Sequence, residues 1–325
     1  MSTDSYSVTR MFHPTHHVPD LEAVVEWFRR VFGRESRTLS GTPQQAEIER
    51  HRPGYPTQYS AFTPIGEVLF ETLAPHLLVK NGRQSYPSVD RPILRDFAWY
   101  VDGVGDLYPR LHEEGIRTIR QHGSDPDAEP PRAEFADLIL YWADPADAGL
   151  RYEFYDPRGG MLDHRKDPAW SLADAPDCDP AVDPLGILLC SHHTVLTARP
   201  ERALRLLVDI LHGTVIDAGR NEQWETESTF VAIGDGVIEV GRPLREDSPA
   251  AADLRSRGGT DAYHGITWCV RDLDAVKDHL GRQKVGLQSE EETMVITDPA
   301  DSIGIPFGFT TRLIAGDTRE GRRRD

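Results

Sequence analysis

Residues 13–20 read His13-Pro14-Thr15-His16-His17-Val18-Pro19-Asp20 and run into LEAVVEWFRRVFG; residues 192–199 read His192-His193-Thr194-Val195-Leu196-Thr197-Ala198-Arg199 and run into PERALRLLVDILHG. In both stretches a histidine on an extended segment stands seven residues ahead of a helix. Leu21, Val24, Val25, Phe28, Val31 and Phe32 recur at helical spacing, with Asp20 placed to cap the helix and Gly33 to stop it. A strand carrying a ligand-capable residue, followed by a helix, is thus present twice.

The pattern extends outward from these two stretches. From Val8 the chain reads as strand, helix and the strands RESRTLS, TQYSAFTPIG and EVLFETLAP, separated by Gly and Pro. The order returns as LRDFAWYVDG, the helix VGDLYPRLHEEG, then IRTIRQHG, ADLILYWAD and LRYEFYDP. A third copy holds GILLCSHHTVLTA, a helix from Pro200 to His212, TESTFVAIGD and GVIEVGRPL; a fourth holds YHGITWCVRD, LDAVKDHLGRQ, ETMVITD and SIGIPFGFTT. Asp144-Pro145-Ala146-Asp147 before the last strand of the second copy recurs as Asp298-Pro299-Ala300-Asp301 before the last strand of the fourth, which implies a shared turn. Residues 158–184, rich in Asp, Pro and Ala, read as a linker. The expected division is therefore a domain over 8–157, a linker over 158–184, a domain over 185–312 and a flexible tail over 313–325.

Composition narrows the function. With 325 residues and 38% hydrophobic content the chain can bury a sizeable core. Its 36 Lys and Arg against 53 Asp and Glu leave a net charge of −17, which repels phosphate backbones and anionic membranes, so neither nucleic acid nor membrane is expected as a partner. Arg322, Arg323 and Arg324 lie in the polar tail and are given no function. Cys178, Cys190 and Cys269 leave one thiol unpaired in any disulfide scheme, which fits a reducing cytoplasm. No leader and no apolar window of the ~18 residues a membrane span needs is found. There is no P-loop or dinucleotide fingerprint, and no G-x-S-x-G elbow.

A first-strand histidine, the Asp20-Leu21-Glu22 helix with its Phe28, and closing strands that carry Glu resemble the vicinal oxygen chelate superfamily, which includes glyoxalases, bleomycin-resistance proteins and extradiol dioxygenases. The resemblance covers residues 8 to 312. It implies an α+β fold of four βαβββ modules in two paired domains, each a curved mixed sheet forming an open barrel-like cleft. A divalent metal would sit on inward-facing strand residues, with Fe(II) or Mn(II) ahead of Zn(II) or Ni(II). Alternation of strand side chains lets facing strands converge such residues without their being sequence neighbours.

Carried over residue by residue, the resemblance nominates His13, Glu71, Asp96 (where the family usually has His) and Glu153 in the first domain. In the second it nominates His192, Glu239 and His264, the last one residue early and in need of a bulge to aim it inward. The closing strand SIGIPFGFTTR has no carboxylate. His13 and His17 share a strand face, so either can ligate; His17 and His193 are assigned to proton transfer, although His193 should face away from His192. The bland alternatives are packed strand histidines, a solvated Asp96, and core roles for Tyr59, Trp99, Tyr100, Trp142, Tyr152, Trp268 and Phe307.

The leading expectation is a metal-dependent enzyme whose substrate, small and aromatic or enolisable, chelates the metal through adjacent oxygens. An extradiol-type dioxygenase stands first, a glyoxalase-type isomerase, lyase or epimerase second, and a non-catalytic small-molecule binding protein third. A homodimer is compatible with all three.

Overall fold

A computed structural model describes residues 5–40, 45–46, 49–50, 52–80, 82–120, 125–133, 138–157 and 183–319. Residues 158–182, Cys178 among them, and Arg322 to Arg324 lie outside the described residues.

In the first half β1 (Ser7–His17) leads into α1 (Leu21–Val31), β2 (Arg37–Thr38), β3 (Ser60–Ile65), β4 (Val68–Leu73) and the hairpin β5 (Val79–Lys80) with β6 (Arg83–Gln84). Then follow β7 (Ile93–Asp102), α2 (Val104–Glu113), β8 (Thr118–Ile119), β9 (Leu140–Ala143), α3 (Pro145–Ala148) and β10 (Arg151–Tyr155). The second half runs β11 (Ile187–Leu196), α4 (Pro200–Leu204), β12 (Thr214–Asn221), β13 (Thr226–Ile233), β14 (Gly236–Pro243) and α5 (Pro249–Ser256). It ends with β15 (Ala262–Val270), α6 (Leu273–Arg282), β16 (Leu287–Glu290), β17 (Met294–Thr297) and β18 (Phe307–Thr310).

Each half builds one eight-stranded mixed sheet, ordered β2-β3-β4-β1-β7-β10-β9-β8 and β12-β13-β14-β11-β15-β18-β17-β16. The two orders are the same once each strand is replaced by its counterpart. In both, the two module-opening strands pair antiparallel at the centre, β1 with β7 and β11 with β15, and each pairs in parallel with the closing strand of its own module. The fold is α+β with four βαβββ modules, two to a sheet, as expected.

Local chemistry sets the elements. Asp20 caps α1 by accepting the Ala23 N–H at 3.0 Å, and Gly33 ends it at φ 66°. The helix buries Val24, Trp27, Phe28, Val31 and Phe32. Trp27 stacks on Phe307 at 5.6 Å between ring centres and donates its indole N–H to the Asp301 carbonyl at 2.9 Å, while Phe32 meets Phe307 at 5.2 Å. Each such side chain contributes about 1.5–3 kcal/mol by burial. Glu26–Arg34 and Ile65–Glu67 accordingly belong to the second compact unit with Ala173–Asp325; Met1–Val25, Glu35–Pro64 and Val68–Leu172 form the first. The sequence had placed all of 8–157 in one domain.

The repeated tetrapeptide makes the same turn twice. Asp144 accepts the Ala146 N–H at 3.0 Å and Asp298 the Ala300 N–H at 2.9 Å; Asp147 accepts the Arg117 N–H and Asp301 the Gly286 N–H, each at 3.0 Å.

Four strands had no sequence signal. β12 and β16 are edge strands with mostly exposed or half-buried side chains, so no apolar alternation marks them, and the short β5–β6 pair likewise lacks a run. RESRTLS yields only the two residues of β2. The expected Pro200–His212 helix is α-helical to Leu204 and continues as a π-helical turn over Arg205–Ile210. Within the expected tail, Arg319 pairs with the buried Asp317 at 2.7 Å and donates to the carbonyls of Cys190 and Ser191.

Candidate metal centre

Strand register lays the first unit's nominated residues in two adjacent rows on one face of the sheet. Glu71 on β4 lies beside Thr15 on β1, Thr15 faces Asp96 on β7, and Asp96 faces Arg151 on β10. Two residues along, His13 faces Ala98, Ala98 faces Glu153, and Glu153 faces Trp142 on β9. Side chains two apart on a strand share a face, so an imidazole, three carboxyls and a guanidinium project together. Phe12, extra on β1 where its pairing with β7 shifts, stacks on Tyr100 at 4.6 Å and sits at 4.5 Å from the His13 ring.

All four nominated side chains are buried. His13 Nδ1 lies 3.5 Å from Glu71 Oε2, and the Thr15 hydroxyl lies between, 3.1 Å from His13 and donating to Glu71 at 3.4 Å. Burial pushes His13 down to about 3, so the ring is neutral at pH 7. Burial, and then the Asp96 carboxyl, push Glu71 up to about 8. Burial followed by Asp96 and Glu71 holds Glu153 well above its ordinary range, and burial also raises Asp96 against the pull of Arg151. Glu71 and Glu153 hold their protons because too little positive charge is buried with them.

Among the described residues no three His, Cys, Asp or Glu side chains converge on a single point. Only the His13–Glu71 pair is already together; Asp96 and Glu153 flank it in the same two rows. The donor chemistry fits a divalent cation. The imidazole is in the neutral form that ligates, and mutually repelling carboxyls exchange protons for a cation.

His17 continues the same face of β1, beside Leu73 of β4, with its ring 5.3 Å from Tyr86; His16 turns to Phe70 on the other side. Burial, then Arg95 and Arg151, push His17 down to about 3. It is a weak base there.

The second unit keeps half of this arrangement. Thr194 lies beside Glu239 and faces Gly265; His192 faces Thr267, which faces Gly308. His192, Thr194 and Glu239 therefore match His13, Thr15 and Glu71, whereas Gly265 and Gly308 stand where the first unit has Asp96 and Glu153. The space is filled. A Cβ on Gly265 would come 3.0 Å from the Trp224 ring and 2.8 Å from the Pro306 carbonyl, and one on Gly308 would come 2.7 Å from the Met294 methyl. Trp224 and Met294 pack with Ile296 as a small apolar cluster.

Glu239 is also heavily hydrogen-bonded. It accepts from Thr194 at 2.7 Å, Ser228 at 2.6 Å, Asn221 at 2.8 Å and Thr226 at 3.3 Å, with His192 Nε2 at 3.5 Å. Three of these donors fall on Oε1 and one on Oε2, so the carboxylate is held by its own strands and only Oε2 keeps a lone pair, turned toward His192. His264 is the extra residue of β15 where the pairing with β11 shifts, so the bulge that the sequence required is present. The ring is aimed at Asp253 on α5, 2.8 Å away, and at Trp224, in a cavity of about 230 Å³, instead of joining His192 and Glu239. His193 faces Tyr263 at 2.7 Å and Cys190 at 3.4 Å, with both ring nitrogens engaged away from Glu239. The nominated residues His192, Glu239 and His264 are thus not brought together as a ligand set.

In a comparison with solved structures, the chain superposes on a Mn(II)-bound glyoxalase from Novosphingobium aromaticivorans with a TM-score of 0.56 and 11% identity, over 96% of this chain and 86% of that one. The likeness is one of fold, over nearly the whole chain. A methylmalonyl-CoA epimerase from Mycobacterium tuberculosis aligns with 38% of this chain and 88% of its own length at 22% identity and a TM-score of 0.35. No protein-family model and no curated protein matches by sequence. One residue beside these side chains, Arg151, had escaped the sequence reading, and Trp142 stood there only as a core aromatic. Arg151 and Trp142 carry no motif, and only register brings them beside Asp96 and Glu153.

Proposed function

We propose that the chain is a metal-dependent enzyme of the glyoxalase kind, an isomerase, lyase or epimerase, with its site in the first unit alone. The observation that carries this reading is the set His13, Glu71, Asp96 and Glu153 on two adjacent rows, against Gly265 and Gly308 at the equivalent positions of the second unit. His13, Glu71 and Glu153 would hold a divalent cation, with Fe(II) or Mn(II) suited by the mixed imidazole and carboxylate donors and Zn(II) or Ni(II) less so. Such an ion, when bound, supplies Lewis-acid polarisation of adjacent substrate oxygens.

Asp96 takes the proton-transfer role. Arg151 Nε stands 3.8 Å from its carboxyl, which draws it aside from the ligand pair, and burial raises its proton affinity above that of an ordinary Asp. Thr15 steadies His13 and Glu71, and Phe12 and Tyr100 close the floor under the imidazole and exclude water from it. His17, held neutral, orients Tyr86 and moves no proton.

The test is elemental analysis of the purified and Mn(II)-loaded protein, followed by proton NMR of 2-oxoaldehydes and α-hydroxycarbonyl compounds in deuterated water. One ion per chain and exchange of the hydrogen next to the carbonyl are expected, with both lost in His13→Ala. A protein that takes up no ion and exchanges no hydrogen is a binding protein instead.

A further inference from the structure

Arg151 opens β10 with a side chain only 14% exposed. Its guanidinium lies 4.5 Å over the Trp142 ring and 4.9 Å over the Tyr86 ring. Among the described residues it makes an ion pair with Asp96, at 3.8 Å, and no hydrogen bond; Nε is fully buried without a partner. A guanidinium offers five N–H donors in a rigid plane, and charge-assisted bonds to a carboxylate run at about 2.7–2.9 Å. Asp96 is too far to take up these donors. The two rings fix the place of the guanidinium, and its N–H donors are left without a hydrogen bond among the described residues.

The bland account makes Arg151 the counter-ion of three buried carboxyls. The second unit argues against a scaffold role. Counting from Glu153 and Gly308, Arg151 corresponds to Pro306, so the sheet closes at this position without a cation, donor or stack. Asp96, Arg151 and Glu153 are replaced together, by Gly265, Pro306 and Gly308, as one functional group is.

We infer that Arg151 is the anion-recognising residue of the first unit's cleft, and that the substrate carries a carboxylate next to the oxygens that approach His13, Glu71 and Glu153: a 2-oxo or 2-hydroxy acid. This deepens the glyoxalase-type reading and rests on it for the second oxygen, but the anion contact stands on Arg151 alone. The forked guanidinium bonds both carboxylate oxygens from the place set by Trp142 and Tyr86. The neighbouring carbonyl or hydroxyl is thereby directed at the next row, where His13 and Glu153 lie.

The test follows tryptophan fluorescence, to which Trp142 contributes, as the full chain is titrated with pyruvate or with its uncharged analogue biacetyl, each with and without Mn(II). The wild-type chain should prefer pyruvate about tenfold or more in both conditions, as an arginine-bound anion does. Arg151→Gln should abolish the preference, and Arg151→Lys, which keeps the charge without the fork, should retain part of it. Equal binding of the two compounds by the wild-type chain overturns the inference whether or not the variants fold, and so does an undiminished preference in a folded Arg151→Gln. A pyruvate preference without any Mn(II) binding would defeat the metal reading and leave the anion site standing. Mn(II) binding without the preference would do the reverse.

Discussion

Asp96 and Gly265 hold the same register position in the two sheets, each opposite the threonine that lies two residues after a first-strand histidine. In one sheet that position bears a buried carboxyl; in the other it bears no side chain, and Trp224 occupies the room. The two sheets have the same strand order and differ at these positions in chemistry.

Metal stoichiometry should therefore be one ion per chain. Glu71→Gln or Glu153→Gln is expected to weaken Mn(II) binding by about ten- to a hundredfold or more, at least as much as loss of an outer partner does. His264→Ala should leave both stoichiometry and affinity unchanged. Calorimetric titration of the three variants checks this, and a second ion lost on changing His264 would restore the second unit as a metal site.

Glu239 is expected to matter for stability and not for metal. Glu239→Ala leaves the Thr194, Ser228 and Asn221 donors without their acceptor in a fully buried place, at a cost of about 3 kcal/mol or more. Urea melts read the loss, with Mn(II) affinity as the control that should not move.

Filling the second unit's missing positions should fail to create a site. Gly265→Ala alone forces its methyl against the Pro306 carbonyl and the Trp224 ring, which costs about 1–3 kcal/mol by overpacking. A thermal melt of Gly265→Ala at or above the wild-type midpoint would contradict this.

Acidity should tune both stability and metal uptake. Glu71 holds its proton up to about pH 8 in the fold against an ordinary value of 4.5, so its contribution to the metal-free fold is complete below pH 4.5 and is lost as pH rises through 8. His13, pushed down to about 3 from 6.5, acts the other way: its contribution is complete above pH 6.5 and lost as pH falls toward 3. Mn(II) must displace the Glu71 proton, so affinity should climb between pH 6 and 8 with proton release. Calorimetry in buffers of different ionisation enthalpy measures that release, and a flat profile would remove Glu71 from the ligand set.

Arg319 should act as a structural anchor. Arg319→Ala breaks the pair with buried Asp317 and the bonds to the Cys190 and Ser191 carbonyls, for a loss of about 3–5 kcal/mol. Pyruvate and Mn(II) binding in the first unit should be untouched at temperatures below the melt.

Much of the fold is legible along the chain because its signals are local. Asp20 caps, Gly33 stops, the Asp-Pro-Ala-Asp turns repeat their bonds, and apolar stripes mark the buried helices and inner strands. The edge strands β12 and β16 are silent because half their surface faces water and imposes no alternation. The histidines and carboxyls that could serve a metal are legible as residue types at repeated strand positions. Which of the two copies could assemble is decided by tertiary structure. Cross-strand register brings Arg151 and Trp142 to Asp96 and Glu153, a bulge turns His264 toward Asp253, and hydroxyls from two strands, with the Asn221 amide, bind Glu239. Each of these depends on residues tens of positions apart meeting in a buried space, and spacing along one strand carries no information about what fills that space.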